Sequence, residues 1–240
     1  RVFEDMRLRD PERYRVCGLG EWGIGGGQFF PEFRSDIHII RPTPLVCGAR
    51  IFRTIDYGLD ALACLFIALD STGRAVVFRE VYAHDLIVSA AAEAIREASE
   101  GLEIYRTFAP PDLWSRQKDS GKSIATLFER HGVPLTQSDN NRVGGWLALK
   151  EWLRVQPMPE GGKDARLKIF STCTDLIRCL PSLLSDPKRI GDCQTEPHEI
   201  THLPDALRYF AVMQTEPPRE KSPSPRLRDF TGAGRRKNRF

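Results

Sequence analysis

Three strand-like segments in close succession constrain the fold of this chain more than any other feature. Residues 50–56, 61–69 and 74–82 are rich in β-branched, aromatic and other apolar side chains, and the turn-forming sequence Asp70-Ser-Thr-Gly73 joins the last two. Connections this short join neighbouring strands that run in opposite directions, because a parallel pair needs a crossover of a dozen or more residues. The sequence therefore predicts an antiparallel meander of three strands.

After the meander, the pattern changes to alternating helices and strands. The apolar spacing predicts helices over residues 86–99, 121–131, 142–155, 172–184 and 202–213, and strands over residues 103–109, 133–137 and 166–170. Such alternation is typical of parallel strands whose connecting helices cover the sheet. The predicted fold class is α/β, with an antiparallel three-strand meander extended by parallel strands into a mixed sheet that carries helices on both faces.

Composition divides the chain into three parts. Residues 1–48 are rich in Gly, Pro and aromatic residues without a sustained period, which predicts an irregular lead-in, and residues 49–214 contain the predicted sheet. Residues 215–240 have four prolines and dense charge, which is typical of a disordered tail. Within it, residues 216–240 have a net charge of +5. Since the whole chain has a net charge of +3, the other residues together have a net charge of −2. The positive total therefore does not indicate that the folded part binds nucleic acid.

The apolar segments and the cysteines of the chain indicate the cellular compartment to expect. No segment approaches the roughly 20 consecutive apolar residues of a membrane-spanning helix, so we expect no membrane association. The six cysteines are scattered without a Cys-x-x-Cys pair, and no cleavable leader pattern precedes them. This usage fits a reducing, intracellular compartment.

Two glycine-containing motifs resemble nucleotide-binding loops but lack the required context. Gly121-Lys-Ser123 matches the end of a P-loop, yet the glycine needed five residues earlier is replaced by Arg116, so we expect an ordinary helix cap. Gly23-Ile-Gly-Gly-Gly27 follows no strand and precedes no helix, which indicates a flexible turn. The chain therefore shows no sign of an ATPase.

The sequence His198-Glu-Ile-Thr-His202 matches the zinc-protease pattern HExxH. That pattern binds zinc when one continuous helix presents both imidazoles one turn apart, beside a general-base glutamate. Here a loop-like sequence ending in Pro197 precedes it, and Pro204 is tolerated only in the first turn of a helix. We therefore predict a helix that begins near His202, and we disfavour a zinc protease.

Three aspartates form the best candidate site. Asp56 ends an apolar strand, Asp112 follows the strand over residues 103–109, and Asp205 lies in the first turn of the last helix. The i, i+3 spacing places His202 on the same helix face as Asp205. If the two strands are neighbours, Asp56 and Asp112 meet at one edge of the sheet. Each aspartate alone is more often a turn or cap residue, and only their combination indicates a site.

Carboxylates that converge in a partly buried site repel one another unless cations are present, so the combination predicts that divalent metal binds there, as a pair of Mg²⁺ or Mn²⁺ ions. Two such ions support phosphodiester hydrolysis. We also expect that removing one carboxylate relieves repulsion in the metal-free protein and does not lower its melting temperature. Glu80 on the third strand is a further candidate, although strand glutamates usually face solvent.

Several sequence pieces occur in the order found in phage terminase large subunits. They are Gly20-Glu-Trp-Gly, Phe29-Phe-Pro-Glu-Phe33, Arg53-Thr-Ile-Asp-Tyr-Gly58, Pro111-Asp-Leu-Trp114, Asn141-Arg-Val-Gly-Gly145 and His202-Leu-Pro-Asp-Ala-Leu-Arg-Tyr209. Together they resemble the C-terminal, ribonuclease H-like nuclease half of that family over about residues 14–212, and the last piece is the most specific.

This resemblance implies a ribonuclease H-like fold and an endonuclease that cuts concatemeric double-stranded viral DNA into genome lengths in the host cytoplasm. It implies that Asp56, Asp112 and Asp205 are catalytic, metal-binding acids, and that His202 is an additional metal ligand or close neighbour. It also implies an ATPase domain, a small terminase subunit and a portal as partners. Because the family's ATP-binding motifs are absent, residues 1–48 would be the linker from a missing ATPase domain.

Two other functions remain open at the level of sequence. A resolvase or transposase of the same sheet architecture would keep the chemistry and change the DNA substrate, since fold does not determine function. A non-catalytic DNA- or portal-binding module would use the acids structurally and bind through the basic tail. Metal-dependent cleavage, and the choice between junction and linear DNA, would separate the three.

Overall fold

A seven-stranded mixed sheet forms the centre of the protein in a computed structural model that describes residues 27–58, 60–116 and 121–214. The strands of this part are β1 (Ile39–Ile40), β2 (Arg50–Tyr57), β3 (Ala61–Leu69), β4 (Ala75–His84), β5 (Ile104–Ala109), β6 (Thr136–Gln137), β7 (Val155–Pro157), β8 (Lys163–Ala165) and β9 (Leu167–Phe170). Its α-helices are α1 (Ser35–His38), α2 (Val88–Ala98), α3 (Ile124–Arg130), α4 (Arg142–Leu153), α5 (Thr174–Cys179) and α6 (His202–Met213).

The strand order is β1-β9-β4-β3-β2-β5-β6, and β7 and β8 form a separate hairpin. β2, β3 and β4 make the predicted antiparallel meander, with β2 and β3 paired from Arg50 and Leu69 to Tyr57 and Leu62. β5 pairs parallel with β2 on one side, and β9 pairs parallel with β4 on the other. The predicted mixed sheet is confirmed.

β3 is buried along its whole length, because helices cover both faces of the sheet. Residues 63, 65, 67 and 69 join one core, whereas residues 62, 64 and 66 join the other, as the two-residue period of a strand requires. The first core contains the apolar sides of α4, α5 and α6, and the second contains those of α2 and α3. The prediction of helices on both faces is therefore confirmed.

The described end of the predicted lead-in is built into this domain. Phe29, Phe30 and Phe33 are buried in the first core, and β1 pairs parallel with β9 at the edge of the sheet. Aperiodic sequence did not indicate this, because an aromatic residue can anchor a segment in a core without a strand or helix pattern. Residues 1–26 and the predicted tail over residues 215–240 lie outside the described part.

Local signals explain where several helices begin and end. Ser123 is the N-cap of α3, and its hydroxyl accepts a hydrogen bond from the Thr126 amide at 3.2 Å, so Gly121-Lys-Ser123 is a helix cap as predicted. α5 is shorter than predicted and passes into a single 3-10 turn over Leu180–Ser182, where Pro181 lacks the amide that a continuing helix needs. Within the described residues, no helix is long and apolar enough to cross a membrane.

Candidate metal centre

The candidate site lies where the end of β2 meets the beginning of α6. α6 packs across β2 and β3, and its first turn is positioned by Pro204, whose missing amide is harmless there. The preceding residues His198–Ile200 form a separate 3-10 turn, so α6 begins at His202, as predicted. The packing brings His202 and Asp205 to a strand that lies some 150 residues earlier in the chain.

Asp56 occupies the centre of the site with an 18% exposed side chain. Its Oδ2 lies 2.7 Å from His202 Nδ1, and its Oδ1 accepts a hydrogen bond of 3.2 Å from the Tyr209 hydroxyl. Burial raises the pKa of Asp56, and the charge of Asp205 raises it further, whereas the hydrogen bond with His202 lowers it. A positive charge nearby would therefore stabilise the ionised form of the Asp56 carboxylate.

The imidazole of His202 bridges two carboxylates. Its Nε2 lies 3.1 Å from Asp60 Oδ2, and the same oxygen lies 2.8 Å from His198 Nδ1. Burial alone lowers the pKa of His202, but the hydrogen bonds and charges of Asp56 and Asp60 raise it to about 9. Burial tends to raise the pKa of Asp60, yet hydrogen bonds from the two histidines lower it to about 2. The two carboxylates thus favour the imidazolium form of His202 in the metal-free protein.

Asp205 is neutralised by two arginines. Arg142 Nη1 donates to Asp205 Oδ1 at 2.9 Å and to Oδ2 at 3.2 Å, and Arg208 Nε donates to Oδ1 at 2.8 Å. Arg142 also donates to Asp192 Oδ1 at 2.9 Å, which ties the first turn of α4 to the segment before α6. Burial lowers the pKa of Arg142, but Asp205 and Asp192 raise it well above its usual range.

The structure places Asp112 at the same edge of the sheet, but not in the cluster. β5 pairs parallel with β2, so both strands end at this edge, and Asp112 follows in a 3-10 turn over Pro111–Trp114. The Asp112 side chain is exposed and forms no hydrogen bond or ion pair with another described residue. The only described group of three residues with metal-ligating atoms within 4.8 Å of one another is Asp60, His198 and His202.

Glu80 has a structural role. Its two carboxylate oxygens accept hydrogen bonds from the Asp175 and Leu176 amides at 2.8 and 3.0 Å, which satisfies the first turn of α5. Burial raises the pKa of Glu80, although these two bonds lower it. The fourth acid considered in the sequence is therefore a helix cap.

Sequence reasoning missed the residues that connect the motifs. Arg142 belongs to the piece Asn141-Arg-Val-Gly-Gly145, and Asn141 caps α4 by accepting a hydrogen bond from the Gly144 amide at 2.9 Å. Arg142 is the first residue of α4, and its guanidinium contacts Asp205, so the structure joins this piece to the last one. Asp60 carried no signal beyond its place after a strand, so only the fold could reveal its partners.

Gly145 permits the close approach of α4 to Arg208. A Cβ at Gly145 would lie 2.7 Å from Arg208 Cγ and 3.1 Å from Cδ, and Arg208 cannot retreat because Asp205 holds its guanidinium. Alanine gains about 1 kcal/mol of helix propensity over glycine, whereas overpacking costs about 1–3 kcal/mol.

We therefore expect Gly145→Ala to lower the free energy of unfolding by up to about 2 kcal/mol in urea denaturation. Gly27→Ala is the control, because its Cβ would have its nearest contact at 3.9 Å, with Leu184 Cδ2. A more stable Gly145→Ala variant would show that Arg208 can move aside.

The imidazolium of His202 predicts a pH dependence of stability. Its pKa is raised to about 9 in the folded protein, from about 6.5 when unfolded, so its stabilising contribution is complete below pH 6.5 and is lost as the pH rises through 9. In chelator, we expect unfolding free energy to fall by about 1–3 kcal/mol over this interval. His202→Gln should remove most of the slope, and an equal slope in both proteins would contradict the assignment.

The residues present fit the oxygen ligands that Mg²⁺ and Mn²⁺ prefer. Asp56 Oδ1 has one long hydrogen bond, Asp205 Oδ2 accepts only the 3.2 Å bond from Arg142, and a carboxylate oxygen can accept more than one partner. Asp112 offers a further exposed carboxylate. The chemistry of the donor set therefore suits such ions.

Comparison with known proteins finds the fold in phage terminases. No model of a protein family and no curated protein matches the chain. The large terminase of a thermophilic bacteriophage matches with a TM-score of 0.62 and 17% identity over 88% of this chain and 50% of that protein. The complex of the same terminase with ATP-γ-S gives a TM-score of 0.61 and 18% identity over 88% of this chain and 51% of that protein.

The nuclease domain of g2p, the large terminase of bacteriophage SPP1, was solved with bound Mn, and it matches with a TM-score of 0.52 and 15% identity over 75% of this chain and 97% of that domain. The chain spans about half the length of the thermophilic phage's terminase. These likenesses show that the chain has the nuclease-domain fold of phage large terminases, and the predicted ribonuclease H-like fold is confirmed.

Proposed function

We propose that this chain is the nuclease domain of a phage DNA-packaging terminase large subunit. It hydrolyses phosphodiester bonds of double-stranded DNA with divalent metal ions, and so cuts concatemers into genome lengths. One observation carries the proposal: α6 brings His202 and Asp205 to Asp56 at the end of β2, in a fold that a Mn-bound terminase nuclease domain shares.

Asp56, Asp205 and Asp112 are the proposed catalytic, metal-binding acids. When bound, a pair of Mg²⁺ or Mn²⁺ ions supplies an activated water and stabilises the leaving oxygen of the phosphodiester. The Tyr209 hydroxyl and His202 Nδ1 hold the Asp56 carboxylate in orientation. Any ligand role of His202 falls to Nε2, because Nδ1 already contacts Asp56.

Arg142 and Arg208 orient Asp205 and balance its charge, so the acids can lie close together before an ion binds. The two arginines act through Asp205, and we assign them a positioning role. Their hydrogen bonds leave the Oδ2 side of the carboxylate with spare acceptor capacity. We expect little sequence preference, because the proposed chemistry acts on a phosphodiester and on metal ions and not on base edges.

The test is incubation of the purified chain with supercoiled plasmid in Mg²⁺, Mn²⁺, Ca²⁺ or EDTA. We expect cleavage in Mg²⁺ or Mn²⁺ and none in EDTA, because the acids alone cannot activate water. Linear duplex and four-way junction substrates, run in parallel, separate a packaging nuclease from a resolvase. Cleavage that persists in EDTA, or no cleavage in any metal, would contradict the proposed function.

The proposed partners follow from the same assignment. They are double-stranded DNA, a terminase ATPase domain, a small terminase subunit and a portal, assembled in the host cytoplasm. The basic segment over residues 215–240 is proposed to raise affinity for DNA or a partner without taking part in the chemistry, because its positive charge contrasts with the net negative remainder.

A further inference from the structure

The two imidazoles of His198-Glu-Ile-Thr-His202 lie together even though no continuous helix carries them. His198 is in the 3-10 turn His198–Ile200 and His202 is the first residue of α6, with ring centroids 4.4 Å apart. Asp60, in the turn between β2 and β3, joins them, and one ligand atom from each residue lies within 4.8 Å of the other two. Three separate chain segments therefore converge on one point.

We propose that Asp60, His198 and His202 form a binding site for a single divalent transition-metal ion of the Zn²⁺ or Co²⁺ class. Two imidazole nitrogens and one carboxylate oxygen are ligands that these ions favour, whereas Mg²⁺ favours oxygen ligands alone. The site goes beyond the proposed nuclease function, because it uses neither Asp112 nor Asp205 and touches the nuclease acids only through His202.

The distances between the ligand atoms suit this assignment. Asp60 Oδ2 lies 2.8 Å from His198 Nδ1 and 3.1 Å from His202 Nε2. Ligands about 2.0–2.1 Å from a tetrahedral ion are about 3.3–3.4 Å apart, so these two separations need to open by only about half an ångström. The side chains of Asp60 and His198 are 53% and 56% exposed, and so they are free to make that movement.

A second, independent feature also points to a metal. A metal-binding histidine almost always donates its other ring N–H to a carboxylate or carbonyl, which orients the ring. His202 has this arrangement, since Nδ1 lies 2.7 Å from Asp56 Oδ2 while Nε2 faces Asp60. With the ring only 4% exposed, His202 is the rigid ligand around which the two exposed ones adjust.

Gly58 makes room for the Asp60 carboxylate. A Cβ at Gly58 would lie 2.7 Å from Asp60 Oδ1 and 3.8 Å from His202 Cε1, so any larger residue would push Asp60 away from the histidines. Gly58, which follows β2, thus leaves room for the Asp60 carboxylate beside the first turn of α6.

This site differs from that of a zinc protease. The Glu199 side chain is exposed and its carboxylate is not part of the cluster, while its backbone carbonyl accepts a hydrogen bond from the Tyr82 hydroxyl at 2.6 Å. Asp60 supplies the third ligand instead. Three protein ligands leave a coordination position open for water or for a phosphate oxygen of DNA.

Titration of the metal-stripped chain with Zn²⁺ alone, by calorimetry, tests the site, and Co²⁺ absorption bands report its ligands. We expect one tight site per chain that depends on these ligands, with affinity about tenfold or more weaker in His198→Ala and in Asp60→Asn, and with loss of the Co²⁺ bands. Weaker uptake of Zn²⁺ by the nuclease acids should be the same in both variants as in the parent. Glu199→Gln replaces an exposed residue of the same motif, and His131→Ala replaces an exposed histidine of another element. Both variants should bind Zn²⁺ as the parent does.

Zn²⁺ affinity that is unchanged in both His198→Ala and Asp60→Asn, or lost in Glu199→Gln, overturns the site. Circular dichroism of each variant excludes unfolding as the cause of a loss. Plasmid cleavage in Mg²⁺ is measured on the same proteins and should be unchanged in His198→Ala. If the parent chain binds Zn²⁺ through His198 but never cleaves DNA, the proposed nuclease function is refuted and the zinc site stands. If it cleaves DNA but does not bind Zn²⁺ through His198, only the zinc site is refuted.

Discussion

Replacing Asp56 with Asn is expected to lower the rate of plasmid cleavage by about three orders of magnitude or more. Asp56 is the one acid that contacts both the imidazole of His202 and the hydroxyl of Tyr209, and its Oδ1 remains open to an ion. Asparagine keeps the size and one acceptor oxygen for His202 Nδ1, but it removes the negative charge that would hold an ion in the proposed site. The fold should therefore survive while the chemistry is lost.

The measurement is initial cleavage rate in Mn²⁺ and Mg²⁺, with thermal unfolding of the same samples in EDTA. Asp36→Asn is a matched control, because Asp36 is an exposed aspartate on α1 paired only with Arg34. Glu199→Ala should also remain active, since the zinc-protease alternative requires the opposite ranking. A folded Asp56→Asn variant that cleaves as fast as the parent would end the nuclease assignment.

Replacing Asp205 with Ala is expected to lower the free energy of unfolding by about 3–5 kcal/mol, even without metal. The Asp205 side chain is 10% exposed and Arg208 is 4% exposed, so removing the carboxylate leaves a buried guanidinium without its counter-charge. Arg142 loses a partner as well. For a domain of this size, the melting temperature should fall by about 10 °C or more.

This prediction differs from the expectation from sequence that removing any one acid relieves repulsion. That expectation assumed carboxylates without matching cations, but Arg142 and Arg208 neutralise Asp205 in the folded protein. Asp175→Ala is the control, because Asp175 and Arg178 have the same i, i+3 spacing but are 40% and 38% exposed. Its effect should stay below about 1 kcal/mol. Equal melting temperatures for Asp205→Ala and Asp175→Ala would contradict the buried network.

The fold was predictable from the sequence because local patterns specify it directly. The short connection over residues 70–73 allows only an antiparallel pair, and the apolar run of residues 61–69 requires cover on both faces of the sheet. The start of α6 was predictable for the same reason, because Pro204 is acceptable only in a first turn. Such constraints act within a few residues and need no knowledge of distant parts of the chain.

The composition of the site was only partly predictable. A strand-end aspartate and a first-turn His-x-x-Asp identified Asp56, His202 and Asp205 as candidates, and the fold brings His202 onto Asp56. Their assignment as metal ligands stays a prediction. Asp112 lies at the predicted edge without a contact to the others, because a parallel neighbour determines the edge but not the direction of a side chain in the following turn.

The sequence by itself determined the antiparallel meander, the alternation of helices and strands after it, and the two buried faces of the sheet, since periodicity and turn chemistry are local properties. Only the tertiary structure decided which charges are paired. Arg142 reaches Asp205, and Asp60 reaches His198 and His202, across 63, 138 and 142 residues of sequence respectively. The strength of an ion pair depends on the distance between the two charged groups in space and on their burial. The spacing of residues along the chain determines neither quantity.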